Sequence, residues 1–247
     1  MVGAVPCSSR RLSLKLGLVR HEAVYVGIAE CGGVSGTAVV IDVLRAYTTA
    51  AWAFQLGIEP IVLSDDIDEA LRLKASIPGA LALKDSKPVE GFELSNSPVE
   101  LQSEGDLRGR TLVQRTTHGT VGAVAAKAAE HLYCAAFVNA AATAALLRAA
   151  GATKVYYVVT GDDGQAEEDR ACAEYIATLV DDQAADAAQY LKRAAESVTA
   201  IALLRRAQQG TWGVNPRDIV ACLEADRFGF VMKASDEAGL LTLRAYN

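Results

Sequence analysis

Polar side chains follow several apolar runs of this 247-residue sequence, each at the point where the run ends. Four turns carry groups that could do chemistry together: Asp42 and Arg45; Thr116, Thr117, His118 and Thr120; Asn139; and, one loop after a run, Glu168 with Asp169. If the runs are strands of an open α/β sheet, their carboxyl ends are where such sheets bind ligands. We therefore expect one site that combines carboxylates, hydroxyl groups and a guanidinium.

This mixture of groups suits phosphate chemistry. A hard cation such as Mg²⁺ is bound through carboxylate and substrate oxygens, which makes Asp42, Glu168 and Asp169 candidate metal ligands. Hydroxyl groups and the N–H groups of helix N-termini bind phosphate, and an arginine such as Arg45 can hold an anion with two hydrogen bonds. Asp42 could instead be a covalent nucleophile, and both roles stay open.

Each of these residues also has a purely structural explanation. Asp42 could simply form a turn, and Asp169 could complement a helix dipole. Thr116 and Asn139 could cap helices. His118 could be a general acid or a turn residue that donates one hydrogen bond. Their common position after apolar runs is what favours a site.

Composition and the missing motifs exclude several classes of function. A net charge of −6 argues against nucleic-acid binding, which selects basic surfaces. The five cysteines are scattered without a C-x-x-C pair, so neither a zinc site nor a disulfide framework is expected. The sequence has no G-x-G-x-x-G, P-loop or G-x-S-x-G fingerprint. We expect a small-molecule partner, no membrane contact and a cytoplasmic location, since neither a signal peptide nor an apolar span is evident.

Apolar runs alternate with helical patterns along most of the chain, which predicts an α/β fold. The run Ala38–Ile41 lacks alternation, as is typical of a strand covered on both faces, and a helix is predicted over 46–54. Near the end of the chain, 230–234 and 240–244 are predicted to form a closing hairpin.

These patterns together predict a three-layer α/β/α sandwich with a mixed, mostly parallel central sheet. We expect residues 1–12 to be a peripheral segment and 13–247 to form a single domain. Residues 181–215 are mainly helical in pattern, and the sequence assigns them no role.

Five motifs, in order along the chain, resemble those of the 2-phosphosulfolactate phosphatase (ComB) family. They are Asp42–Thr49 (D-V-L-R-A-Y-T-T), Gly91–Pro98 (G-F-E-L-S-N-S-P), Thr116–Thr120 (T-T-H-G-T), Asn139–Ala142 (N-A-A-A) and Glu168–Ala173 (E-D-R-A-C-A). Enzymes of that family hydrolyse a phosphate ester of sulfolactate with Mg²⁺, in the route to coenzyme M. The resemblance implies a phosphoric monoester hydrolase that converts 2-phosphosulfolactate to sulfolactate and phosphate.

The resemblance also implies roles for particular residues, with Mg²⁺ as cofactor. It makes Asp42 and Arg45 catalytic candidates; Asn96, Thr117, Gly119, Thr120 and Asn139 substrate-binding candidates; and Asp42, Glu168 and Asp169 metal ligands. His118 is a catalytic candidate from its own chemistry, since the family has Asn at this position. A sulfonate-bearing substrate needs a second anion site, for which Arg45 and Arg115 are candidates. Whether identical copies assemble is left open.

Four residues depart from the family's motifs, and each is bulkier than the residue it replaces. They are Tyr47, Ser95, His118 and Glu174. If they crowd the pocket, the chain could be a catalytically inactive or divergent relative that binds a small phosphorylated or anionic metabolite. We expect a phosphatase, with this binding protein as the alternative.

Overall fold

The computed structural model describes residues 21–247, and the predicted peripheral segment 1–12 lies outside that range. Its strands are β1 Glu22–Val26, β2 Thr37–Ile41, β3 Ile61–Ser64, β4 Leu81–Lys84, β5 Leu94–Ser95, β6 Leu112–Arg115, β7 His131–Ala135, β8 Lys154–Val159, β9 Val231–Glu237 and β10 Leu240–Tyr246. Its α-helices are α1 Ala46–Gln55, α2 Ile67–Ser76, α3 Pro98–Leu101, α4 Gly119–Ala125, α5 Ala140–Ala149, α6 Glu167–Asp181, α7 Ala188–Ala195, α8 Val198–Gln208 and α9 Asp218–Cys222.

Local signals placed most of these elements correctly. Asp66 and Ser97 cap α2 and α3, each accepting a hydrogen bond from the backbone N–H three residues later. Gly57, with φ of +89°, ends α1 in the left-handed conformation that glycine adopts most easily. Strand β3 begins at Ile61, directly after Pro60, which has no N–H for the ladder.

All ten strands form one sheet in the order β1-β8-β2-β7-β9-β10-β3-β6-β4-β5. The predicted mixed, mostly parallel sheet is confirmed, since β1, β8, β2 and β7 are parallel to one another, as are β3, β6, β4 and β5. The predicted hairpin, β9–β10, joins these two groups by antiparallel pairing on both of its sides. It lies in the middle of the sheet.

The central hairpin reverses the direction of the strands across the sheet. Three antiparallel steps separate β2 from β6, so these two strands run in opposite directions. The expectation that the turns after both strands share one edge of a parallel sheet is therefore wrong. The two turns are instead brought together by hydrogen bonds from the first turn of α1. The Gln114 side chain of β6 donates to the Ala46 carbonyl (3.0 Å), and the Tyr47 hydroxyl donates to the Gly119 carbonyl at the start of α4 (2.7 Å).

The helices cover both faces of the sheet, which confirms the predicted sandwich. One large core joins α1 and α4 to strands of both groups, including Val40, Leu63 and Leu112. On the opposite face α5, α6 and α7 cover β2, β7 and β8, while α2 covers β3, β4 and β6. Because α1 packs on both strand groups, Asp42 at its start lies near the middle of the molecule.

Candidate active site

Four of the predicted site residues come together around one small cavity. Asp42, His118, Glu168 and Asp169 line a space of about 80 Å³. The other lining residues are Leu44, Thr160, Gly161, Asp162 and Thr199. The space is far smaller than the roughly 300–1,000 Å³ of pockets for drug-sized ligands, so it suits a small group. A larger cavity of about 570 Å³ between β3, β10 and α4 contains none of the predicted site residues.

Asp169 ties together two of the turns that form the cavity. Its Oδ1 accepts a hydrogen bond from the Val43 N–H (2.8 Å), and its Oδ2 accepts from the Gly161 N–H (3.1 Å) and the Thr160 hydroxyl (3.3 Å). The first turn of α6 thereby holds the ends of β2 and β8 at fixed positions. Burial, with the charges of Asp42 and Glu168 nearby, raises the pKa of Asp169 well above its usual value.

Asp42 ends β2 and begins the turn into α1. Its Oδ1 accepts from the Ala46 N–H at 2.9 Å, which caps the helix, and leaves Oδ2 beside Gly119. Burial raises the pKa of Asp42 to about 6, and the charges of Asp85 and Glu168 add to this, although the Ala46 hydrogen bond and His118 oppose it. A cation here would restore the charged form.

Glu168 is the least satisfied carboxylate of the cavity. It is 3% exposed, and its Oε2 is buried with no hydrogen-bond partner among residues 21–247. An unpaired buried carboxylate oxygen is costly, and a bound cation is one way to satisfy it. Within the same residues, however, no three His, Cys, Asp or Glu side chains already form a complete metal-binding cluster. Since Mg²⁺ often takes only one or two carboxylates and keeps several waters, Asp42 and Glu168 fit it.

The turn between β6 and α4 brings His118 and Gly119 to the cavity. His118 is exposed on the cavity rim at the N-cap position of α4, where its side chain makes no capping hydrogen bond. Gly119 packs so closely that an added Cβ would lie 2.6 Å from the Ala46 Cβ and 2.7 Å from the Asp42 Oδ2. A glycine is therefore required here for close approach.

The three threonines of this turn hold the turn itself. Thr116 and Thr120 each accept from the backbone N–H of the other, at 3.0 and 2.8 Å. Thr117 donates to Asp85 through its N–H (2.8 Å) and its hydroxyl (3.0 Å). The structural explanation thus accounts for these contacts, and the substrate-binding roles of Thr117 and Thr120 stay predictions.

Arg45 and Asn96 lie outside the cavity, near a different buried carboxylate. Arg45 Nη1 donates to Asp218 Oδ2 and to the Gly213 carbonyl, both at 2.6 Å. Asp218 is fully buried and also accepts from the Ser97 hydroxyl at 2.6 Å. The next residue back, Asn96, has a buried side-chain oxygen without a partner in the described part of the chain. Arg45 is thus part of a structural ion pair.

Asn139 is also separate from the cavity lining. Its side-chain oxygen accepts from the Ala136 N–H at 3.1 Å, while its amide nitrogen is buried without a partner among residues 21–247. The capping explanation accounts for the oxygen but leaves the nitrogen unexplained.

The bulk expected from three of the departures does not enter the cavity. Tyr47 is fully buried in the core beneath Gly119. Ser95 hydrogen-bonds to Glu100, and Glu174 pairs with Arg170 and Arg193 on the surface of α6. Only His118 lines the cavity.

The sequence reasoning missed several residues around the site. Thr160 and Gly161 follow β8 as the predicted residues follow their strands, so the same signal could have found them. Thr199, at the start of α8, and Asp218 carry no local signal, because their positions depend on how distant helices pack. Residues 181–215 therefore do contribute to the cavity, through Thr199.

The fold is a mixed α/β sandwich in which buried carboxylates surround a space for a small group. Comparison with known proteins identifies the class of enzyme. The family described as 2-phosphosulpholactate phosphatase matches residues 27–237. This chain belongs to that family of phosphoric monoester hydrolases.

Individual relatives are similar over most of their length. A "probable 2-phosphosulfolactate phosphatase" of Bacillus subtilis is 30% identical over 224 residues, covering 90% of this chain and 96% of that protein. A protein of the same name from Carboxydothermus hydrogenoformans is 34% identical, covering 84% and 90%. One from Deinococcus radiodurans is 38% identical over a shorter stretch, 62% and 66%. Among residues 21–247, none of the helices combines the length and apolar character needed to cross a membrane.

Proposed function

We propose that this protein is a Mg²⁺-dependent phosphatase that hydrolyses a small anionic phosphomonoester, 2-phosphosulfolactate, to sulfolactate and phosphate. The observation that carries the metal dependence is the buried Oε2 of Glu168 beside Asp42, which has no hydrogen-bond partner in the part of the chain that the structure describes. The substrate comes from the names of the relatives together with the family match.

In this proposal Asp42 and Glu168 hold the metal ion. When bound, Mg²⁺ would neutralise phosphate charge and activate or orient the attacking water. Asp169, whose two oxygens are already hydrogen-bonded, keeps the turns after β2 and β8 in register and contributes negative charge nearby. Asp42 is assigned as a ligand through Oδ2, since its Oδ1 already accepts from the Ala46 N–H.

The turn that begins α4 would receive the phosphate. His118, exposed at the rim, can donate a proton to the leaving alkoxide. Because Gly119 has no side chain, the backbone at the start of α4 lies close to Asp42. A substrate could therefore contact this turn and the metal ligands at the same time. Thr120 already uses its hydroxyl within the turn, so any contact that Thr117, Thr120, Asn96 or Asn139 makes with substrate is a prediction from the resemblance.

The alternative of a binding protein without turnover is weakened, because three of the four bulkier residues do not line the cavity. Tyr47 was expected to add bulk at the pocket, but it lies in the core beneath Gly119. His118 remains, and an exposed imidazole at the rim is compatible with proton transfer.

The test is phosphate release from 2-phosphosulfolactate with Mg²⁺ and with a chelator. We expect turnover that requires the metal, and a loss on the order of 100-fold or more in kcat for Glu168→Gln, because a metal ion contributes several kcal/mol. Glu167→Gln is the matched control, since Glu167 is the preceding residue and pairs on the surface with Arg193. Binding of the ester without metal-dependent phosphate release would favour the binding protein.

A place in the route to coenzyme M rests on the family resemblance, and a cytoplasmic location rests on the lack of a recognisable signal peptide in the sequence. Both stay predictions.

A further inference from the structure

Two cationic side chains lie next to each other where β4 and β6 end. Lys84 and Arg115 are direct partners in the parallel register of these strands. Like charges on adjacent strands repel, so such a pair needs compensation by negative charge. The carboxyl ends of parallel strands are also where ligands bind in open α/β sheets.

Among residues 21–247, the negative charge beside this pair does not balance it. Asp85 Oδ1 lies 3.8 Å from Arg115 Nη1, which is a long ion pair, and both Asp85 oxygens already accept from Thr117. The Lys84 ammonium donates to the carbonyl oxygens of Asp85 and Lys87 (2.5 and 2.6 Å). Two cations around one carboxylate leave one positive charge.

Arg115 also has an unused donor. Its Nε is buried and has no hydrogen-bond partner among residues 21–247, although the side chain as a whole is 20% exposed. An arginine that is partly open, with a free N–H and a distant carboxylate, is prepared to receive an anion. Arg45, the other candidate from the sequence, already donates to Asp218 and Gly213.

The cationic pair is joined to the carboxylate cavity by a single short turn. Asp85 holds Thr117, and the next residue, His118, lines the cavity. A substrate with two anionic ends could therefore meet carboxylates, with their metal, at one end and cations at the other.

We propose that Arg115 forms an anion-binding subsite that holds a second anionic group of the substrate, its carboxylate or sulfonate, while the phosphate lies at the carboxylate cavity. Lys84, which is 3% exposed and already donates to two carbonyls, adds positive charge beside it. The inference rests on the proposed phosphatase function. It makes Arg115 a specificity-determining residue.

The test compares Arg115→Gln with the wild-type enzyme on two esters, 2-phosphosulfolactate and ethyl phosphate. Ethyl phosphate has no second anionic group. We expect the ratio of kcat/KM between the two esters to fall on the order of 10- to 100-fold, as charge-assisted hydrogen bonds imply, mainly through KM. Arg115→Lys should recover part of the preference, because it keeps the charge but not the fork. Arg110→Gln is the control, since Arg110 lies just before the same strand and donates to the Gly79 carbonyl.

A third ester, 2-phospholactate, identifies the group that is held. If Arg115→Gln erases the preference for 2-phosphosulfolactate over 2-phospholactate, the sulfonate is bound at Arg115. If kcat/KM falls equally for both esters relative to ethyl phosphate, the carboxylate is bound there. An unchanged ratio for all three esters would overturn the subsite.

Calorimetry with sulfolactate separates failure of the subsite from failure of the proposed function. Sulfolactate carries no phosphate, so its affinity does not depend on turnover. An enzyme that releases no phosphate but loses sulfolactate affinity on Arg115→Gln retains the subsite and loses the phosphatase assignment. Equal sulfolactate affinity of the wild type and the variant would refute the subsite even in an active enzyme.

Discussion

At the scale of single residues, the site is built from carboxylates that the fold keeps close together at an energetic cost. The pKa of Asp42 is raised to about 6 from an ordinary value of 3.8, with burial as the largest cause. Between about pH 4 and 6 the Asp42 carboxyl is therefore protonated in the folded state and ionised in the unfolded chain. The free energy of unfolding falls as pH rises through that window. Above pH 6 the raised pKa of Asp42 lowers the free energy of unfolding by about 3 kcal/mol. A bound cation would offset it.

Asp42→Asn should make the metal-free protein more stable at pH 7 while it abolishes activity. The amide keeps the hydrogen bond from the Ala46 N–H but carries no charge to desolvate. We expect the melting temperature to rise by a few degrees, and the difference from wild type to grow from pH 4 to 6 and then level off.

Calorimetric melts across pH measure this difference, with Asp65→Asn, an exposed aspartate, as the control. A variant that melts below the wild type at pH 7 would contradict the pKa assigned to Asp42. Addition of Mg²⁺ should raise the melting temperature of the wild type and not that of the variant.

At the scale of elements, two contacts place the turns that surround the cavity. The start of α4 presses against the start of α1 through Gly119, and the turn into α1 is anchored to the C-terminal region through the Arg45–Asp218 pair. Neither contact is within a single element. Both are needed because β2 and β6 run in opposite directions, so strand register alone does not align their turns.

Gly119→Ala should disturb the site more than the rest of the fold. The added methyl group would lie 2.7 Å from Asp42 Oδ2 and 2.6 Å from the Ala46 Cβ, so the turn must move. We expect a loss of about 1–3 kcal/mol in unfolding free energy and a large fall in kcat. Gly105→Ala, where a Cβ meets no atom within 4 Å, is the control in urea unfolding and activity assays. Wild-type activity in Gly119→Ala would show that the close approach is not needed.

Asp218→Asn should destabilise the protein by about 3–5 kcal/mol, because it leaves the Arg45 guanidinium buried without a counter-charge. The double variant with Arg45→Met should be more stable than the sum of the two single effects predicts. Urea unfolding of all four proteins completes the cycle. Additive effects would mean that the pair is not an energetic unit.

At the scale of the whole molecule, the β9–β10 hairpin holds two parallel strand groups in one sheet. Its two strands pair with β7 on one side and with β3 on the other. The hairpin follows all the other described strands in sequence, yet it lies at the centre of the sheet. The sheet is therefore complete only when the C-terminal residues are in place.

Leu243→Ala should weaken both strand groups together. Leu243 is fully buried in the core shared by both groups, and truncation of such a leucine costs about 2–5 kcal/mol. Leu241→Ala, two residues earlier and only partly buried, should cost less. Coincident urea transitions by circular dichroism and tryptophan fluorescence would show that the molecule unfolds as one unit. Separate transitions would contradict the bridging role of the hairpin.

The sequence alone determined the elements and the types of residue at their ends. The buried strand before Asp42 and the Ser97 cap depend on residues a few positions away, and the hairpin was predicted from two short segments near the end of the chain. The carboxylates Asp42, Glu168 and Asp169 were found because each follows a recognisable apolar run.

Only the tertiary structure decided where these elements meet. It inserted the hairpin at the centre of the sheet, brought Thr199 to the cavity and paired Arg45 with Asp218, 173 residues away in sequence. Periodicity and capping report interactions within a turn or two of chain. Strand order and buried ion pairs depend on the packing of segments that are far apart, which no local pattern encodes.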